Sequence, residues 1–263
     1  MVGADQHGGE NPWIPEVPLL RYFPLVRAFR RHIVGRPALF FPFARLTGNR
    51  QLLDHDTELV VDGFPRSGNS FAEAAFLHSQ RARGIALKSH AHSPAQILRA
   101  MDKGVAAVLL LRDPDDAVAS MIAASGVDQP DIHYRDYCAY YRPLKGREAG
   151  FVITPFALLL ERFDLVVQAI NARFGMALDT PEVHDEFVQS VNSVRDRVSI
   201  ARVGRAPNYS PHSEWGVAGN RAGQAAILTR LGTLDGLPSR QAALKLHAYF
   251  AAHVDTLSAG DPA

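Results

Sequence analysis

The sequence predicts an α/β fold, a three-layer P-loop-like domain with a central parallel sheet of four or five strands flanked by helices. Short apolar runs at 59–61, 84–87, 105–111 and 151–154 read as strands, and helical stretches alternate with them. The first three of these strands are each followed by a polar loop and then by a helix start. At 263 residues the chain can bury a sizeable core as one such domain.

Composition narrows the function classes. The 28 basic residues nearly cancel the 27 acidic ones, so net charge gives no argument for nucleic acid or for an anionic membrane surface. Cys138 is the only cysteine, which rules out a disulfide within the chain and makes a cysteine-based metal site implausible. A reducing, cytoplasmic location is expected, because residues 1–16 lack the basic-then-apolar build of a secretory signal. No apolar run reaches the roughly 18 residues of a spanning helix. Residues 1–16, rich in Gly and Pro, are predicted to be disordered, and 17–263 to form one domain.

Residues 17–47 mix Tyr22, Phe23, Phe29, Phe40, Phe41 and Phe43 with Arg21, Arg27, Arg30, Arg31 and Arg36. This pattern reads as helix with aromatic packing and solvated arginines. The other reading is a lip that holds an acceptor or touches a membrane interface.

Leu59, Val60 and Val61 suit a buried strand. Gly63 and Pro65 break it, and from Asn69 the spacing of Phe71, Ala74, Ala75 and Phe76 predicts an amphipathic helix. Loop N–H groups and a helix N-terminus make that junction an anion site. Gly63, four residues, then Gly68-Asn69-Ser70 is a P-loop pattern with its lysine replaced by Asn69. A cation returns as Arg66, whose guanidinium can fork onto phosphate oxygens.

After the strand at 84–87 comes Lys88-Ser89-His90-Ala91-His92-Ser93-Pro94. Ser93-Pro94 predicts a helix start, which puts Lys88 to His92 at the mouth of a loop on the carboxyl edge of the sheet. His90 is the candidate general base, with His92 as its competitor. The run 105–111 predicts a central strand buried on both faces, followed by Asp113-Pro114 as a helix start. Arg112 ends that strand where a P-loop NTPase would place a metal-holding aspartate, and Ser120 follows eight residues later. Metal is therefore not expected.

Farther on, Tyr134, Tyr137, Tyr140 and Tyr141 mark an aromatic helix over 130–146 that lines a cleft or packs beneath one. The apolar positions from Leu158 to Phe174 predict one helix over 155–174, ended by Gly175. A helix is predicted at 181–194, an irregular functional loop at 199–220, and two helices near 221–231 and 238–257.

Taken together, these motifs resemble the sulfotransferase family that uses 3′-phosphoadenosine 5′-phosphosulfate (PAPS), from about residue 58 to 175. Phe64-Pro65-Arg66-Ser67-Gly68-Asn69-Ser70-Phe71 is similar to that family's 5′-phosphosulfate loop. Lys88-Ser89-His90 is similar to its Lys-Thr-His, and Arg112 with Ser120 to the Arg and Ser that hold the 3′-phosphate. The resemblance implies that Arg66 and Ser67 to Phe71 bind the 5′-phosphosulfate, that His90 takes the acceptor proton, and that Lys88 neutralises sulfuryl oxygens. It implies PAPS as co-substrate, 3′-phosphoadenosine 5′-phosphate (PAP) as product, and a small-molecule, carbohydrate or lipid acceptor. Arg202 and Gly204 echo a late element that also touches the 3′-phosphate. A family tyrosine that approaches adenine has no counterpart at Ile153-Thr154-Pro155-Phe156. A P-loop kinase or NTPase and a non-catalytic nucleotide-binding relative are the alternatives.

Overall fold

The runs at 59–61 and 105–111 become β1 (Leu59–Gly63) and β3 (Ala106–Leu111), the inner pair of a four-stranded sheet. β2 (Leu87–Ser89) pairs outside β1, and β4 (Val152–Pro155) outside β3. The order is β2-β1-β3-β4 and every pairing is parallel. Register aligns Leu59 with both Leu87 and Ala106, and Val108 with Val152. The computed structural model describes residues 24–49, 51–203 and 217–254; the stretch read as disordered, 1–16, lies outside them.

Alternation along the strands creates the layers. Val60, Ala107, Leu109, Leu111 and Ile153 point into one apolar cluster. Leu59, Val61, Ala106, Val108, Leu110 and Val152 point into another. On the first side pack α2 (Pro37–Leu46), α4 (Pro94–Asp102), α5 (Pro114–Ser125), α6 (Pro130–Tyr141), α10 (Val217–Gly232) and α11 (Pro238–Ala251). On the second pack α3 (Asn69–Ser79), α7 (Phe156–Glu161), α8 (Phe163–Phe174) and α9 (Asp185–Val203). The remaining helix, α1 (Pro24–Ile33), is tied to α6 by ion pairs from Arg27 and Arg31 to Asp136, at 2.8 and 3.1 Å. The three-layer α/β architecture is as the sequence predicts.

Several boundaries differ for identifiable reasons. Strand pairing begins at Leu87 rather than Gly84, because Gly84 sits in a left-handed turn (φ 70°). The predicted helix 155–174 is broken at Arg162, whose backbone (φ −139°, ψ 53°) is not helical and separates α7 from α8. Asp164 accepts two hydrogen bonds from that arginine, at 3.0 and 2.7 Å. The predicted irregular loop 199–220 overlaps α9, which continues to Val203, and α10, which begins at Val217; residues 204–216 lie outside the described residues.

The tyrosines of α6 pack beneath the sheet edge and do not line a cleft. Tyr134, Tyr137, Tyr140 and Tyr141 are all buried. Tyr137 and Tyr141 donate to the carbonyls of Arg112 and Leu110, each at 2.8 Å. Tyr134 donates to Asp115 at 2.6 Å, and Asp115 also receives Arg240 of α11 at 2.6 Å. Polar tips on large apolar bodies thus clamp the carboxyl end of β3 from below.

Candidate functional site

In a sheet ordered β2-β1-β3-β4, the connections leave β1 and β3 in opposite directions. The carboxyl ends of those two strands therefore flank an open crevice, where such sheets bind ligands. A cleft of about 510 Å³ lies there, lined by Pro65, Arg66, Gly68 to Phe71, His90, His92, Arg112, Ser120, Phe156, Leu160, Arg195 and Gln224.

The first wall is the loop from β1 into α3. Gly63 is required by a close approach: a Cβ there would fall 2.7 Å from Leu110 Cβ and 2.9 Å from its carbonyl oxygen. Gly68 combines φ 94° with a Cβ position 2.8 Å from Leu159 Cδ2. Gly68→Ala is expected to cost about 1–3 kcal/mol of stability through backbone strain and crowding. Chemical denaturation measures this, and an unchanged midpoint would refute it. Asn69, standing at the P-loop lysine position, turns inward and donates to the Phe64 carbonyl at 3.2 Å. It knits the loop and leaves cationic work to Arg66.

Arg66 and Arg112 converge from β1 and β3. Arg66 adopts φ 73° and donates from Nε to Ser120 Oγ at 2.8 Å. Arg112 donates from Nη1 to the Arg66 carbonyl at 2.7 Å, and its guanidinium stacks 4.3 Å over the Phe156 ring. Its Nε is buried without a hydrogen-bond partner. Burial lowers the Arg112 pKa; the Arg66 charge lowers it further, and Asp116 opposes both. Two guanidinium groups held this close form a site that an anion relieves.

Asp113 caps α5 by accepting from the backbone N–H groups of Asp115 and Asp116, at 2.8 and 3.3 Å. That cap fixes the turn carrying Arg112 and starts the helix that carries Ser120. Ser67 is fully buried under the loop.

The second wall is the loop after β2. Asp62, the fourth residue of β1, is wholly buried and accepts three backbone N–H bonds. These come from Gly63 at 2.9 Å, His92 at 3.1 Å and Ser93 at 3.4 Å. Burial pushes its carboxyl up to about 8, against the pull of those three donors. His92 donates from Nδ1 to the Gly63 carbonyl at 3.0 Å. One carboxyl and one imidazole therefore staple the His90 loop onto the anion loop.

His90 itself is left-handed (φ 63°), as is His92 (φ 47°). Its Nε2 meets Ser70 Oγ at 3.0 Å. Its Nδ1 lies 3.4 Å from the buried carboxylate of Glu73 and also against Ser89 Oγ. With Nδ1 donating to Glu73, the Nε2 lone pair accepts from Ser70 Oγ, itself part of the cleft lining. Glu73, one turn into α3, is a site residue that sequence reasoning missed. Its position three residues after Ser70 puts both on one helix face, a signal that was legible.

Lys88 is not part of this wall. It belongs to β2 and pairs with Asp54 at 2.6 Å, a bond that holds the Asp54 carboxyl down to about 2. The expectation that Lys88 neutralises a sulfuryl group therefore finds no support in its placement. Arg195 of α9, paired with Asp196 at 3.4 Å, and Gln224 of α10 complete the lining. Both residues lie more than 70 positions beyond Ser120, and nothing local marks them. Arg202 lies on the last turn of α9, its side chain outside the described set, and Gly204 lies outside the described residues.

Among the described residues, no helix is long and apolar enough to cross a membrane. Compared with protein-family models, curated proteins and solved structures, the chain matches none.

Proposed function

We propose that the protein is a sulfotransferase that moves a sulfuryl group from PAPS to a hydroxyl or amine of a small-molecule, carbohydrate or lipid acceptor. One observation carries the reading. The cleft at the switch point is lined by three arginines and two histidines, and by no carboxylate among the described residues. That lining suits a ligand with several negative charges. The buried, unpartnered Nε of Arg112 and the amides at the start of α3 fit phosphate oxygens.

The co-substrate supplies an activated sulfuryl group whose leaving group is a phosphate. In the proposed step, a sulfur–oxygen (or sulfur–nitrogen) bond to the acceptor forms. The bond from sulfur to the phosphate oxygen breaks, and PAP leaves with its electron pair. His90 Nε2 takes the acceptor proton, while Glu73 holds Nδ1 and stabilises the imidazolium that results. Arg66 and the α3 N-terminus steady the charge that grows on the departing phosphate. Arg112 and Ser120 hold the 3′-phosphate, which would replace the present Arg66–Ser120 bond. Phe156, already stacked on Arg112, offers an apolar face in the region where the adenine-contacting tyrosine is missing.

A P-loop kinase fits less well, because Asn69 and Arg112 occupy the lysine and aspartate positions. A second reading rests on a different observation. Ser70, His90 and Glu73 line up as hydroxyl, imidazole and carboxylate at 3.0 and 3.4 Å, which is the arrangement of a serine hydrolase. The cationic lining argues for the first reading, since an uncharged acyl group gains little from three guanidinium groups.

Calorimetric titration with PAP, without added metal, tests the proposal. Micromolar-range binding is expected, weakened by about 2 kcal/mol or more in Arg112→Ala, as for a charge-assisted contact. Tighter binding of ATP with Mg²⁺, indifferent to Arg112, would sink the proposal. Hydrolysis of p-nitrophenyl acetate with Ser70 labelled by an organophosphonate would promote the hydrolase.

A further inference from the structure

The α1–α2 pair exposes large apolar side chains on its outer face. On α1, Arg27 is 5% exposed and points inward to Asp136, whereas Leu25 is 84% and Phe29 48% exposed. On α2, Phe40, Phe41 and Ala44 are buried in the core, while Leu39 is 45% and Leu46 88% exposed. The Phe29 and Phe43 rings meet edge-on at 5.4 Å. Leu25 lies one turn from Phe29, and Leu39 and Leu46 lie one turn either side of Phe43, so these residues form one continuous apolar ridge. Apart from Ile200 of α9, every exposed large apolar side chain among the described residues is on these two helices.

Charge around the ridge is one-sided. Residues 24–49 contain five arginines and no Asp or Glu, although the whole chain is nearly neutral. Asp136 of α6 takes Arg27 and Arg31; Arg36 and Arg45 are exposed. We infer that the α1–α2 face is a peripheral docking surface for an anionic phospholipid bilayer. Aliphatic and aromatic side chains enter the acyl boundary and the exposed Arg36 and Arg45 meet lipid phosphates. A second copy docked on the same face would set arginines against arginines. The surface is held rigidly to the domain, because the turn between the helices presents the Val34 carbonyl to Ser93 Oγ at 2.7 Å and to Ala95 N at 3.2 Å. This inference does not depend on the sulfotransferase reading.

Co-sedimentation of the full chain with phosphatidylcholine vesicles, with and without phosphatidylglycerol, tests it. Binding to the anionic vesicles is expected, weakened by salt, and weaker by about tenfold or more on the neutral ones. Leu25→Asp with Leu46→Asp should lower the vesicle affinity by about tenfold or more. Both sites are nearly fully exposed, so melting temperature and PAP titration should match the parent. Failure to bind anionic vesicles, or binding indifferent to the double substitution, overturns the inference. A dimer in sedimentation velocity that the same pair abolishes would also overturn it, by showing a second copy on the ridge.

Discussion

His90→Ala is expected to reduce sulfuryl transfer by about 10²- to 10⁴-fold, the usual contribution of a positioned general base. Binding of PAP should stay within about threefold, because the anion contacts come from Arg66, Arg112 and the α3 N-terminus. Glu73→Gln provides the finer control. It keeps the side-chain shape near Nδ1 but removes the carboxylate that stabilises the imidazolium. The expected result is a smaller loss of kcat than in His90→Ala, with PAP binding unchanged. His90→Ala with unchanged turnover would remove the base assignment, and His92 would be the next candidate. An equal loss of turnover and of PAP binding would show that the ring supports the fold of the cleft and not the chemistry.

Asp62→Ala carries the largest expected effect on stability. It strands the backbone N–H groups of Gly63, His92 and Ser93 without their acceptor, around a carboxyl that is wholly buried. At roughly 1–3 kcal/mol for each buried donor left unsatisfied, a loss of about 3 kcal/mol or more is expected in denaturant unfolding. The two ligand loops should separate with it, so PAP binding falls as well. Asp62 also gives the protein a pH dependence of definite sign. Its carboxyl is raised from 3.8 to about 8 in the folded protein, so the folded state holds the proton more tightly than the unfolded chain does. That contribution is complete below pH 4 and is lost as pH rises toward 8, with a limiting slope of about 1.4 kcal/mol per pH unit. Asp62→Asn lacks the titration. Unfolding free energies at pH 5 and pH 8 should therefore fall more for the parent than for Asp62→Asn. Parallel declines would refute the assignment.

Much of the fold was legible because it follows from period and punctuation. The apolar run ending at Leu111 reads as a doubly buried strand, and Asp113-Pro114 reads as a cap and first turn. Both readings depend only on neighbours in sequence. Arg66, Arg112 and Ser120, singled out by spacing, line one cleft, because loops at the ends of adjacent parallel strands open on one edge. Lys88, singled out by the same kind of argument, pairs with Asp54 and does not join them. Two residues apart on a strand, Lys88 and His90 should share a face. The strand stops at Ser89, however, and His90 turns left-handed, so alternation ends one residue before it was needed. The break at Arg162 was hidden by an apolar pattern that continues across it. Arg195 and Gln224 reach the cleft through tertiary packing of α9 and α10, for which the local sequence holds no sign. The buried tyrosines of α6 gave the composition of a cleft wall, yet their hydroxyls find carbonyls of β3, which only the packed fold supplies.

The left-handed backbone at Arg66, His90 and His92 sets a limit on how the protein can be improved. Among the described residues these are the only non-glycine positions with positive φ, and each holds its conformation against a local preference of roughly 1 kcal/mol. Glycine at any of the three would relax the chain and delete the side chain that reaches the cleft. A search for hardier variants would therefore be drawn to these positions and would return proteins that outlast the parent and do less. Selection for durability alone is expected to erode the cleft first, at its cationic loop and its two imidazoles.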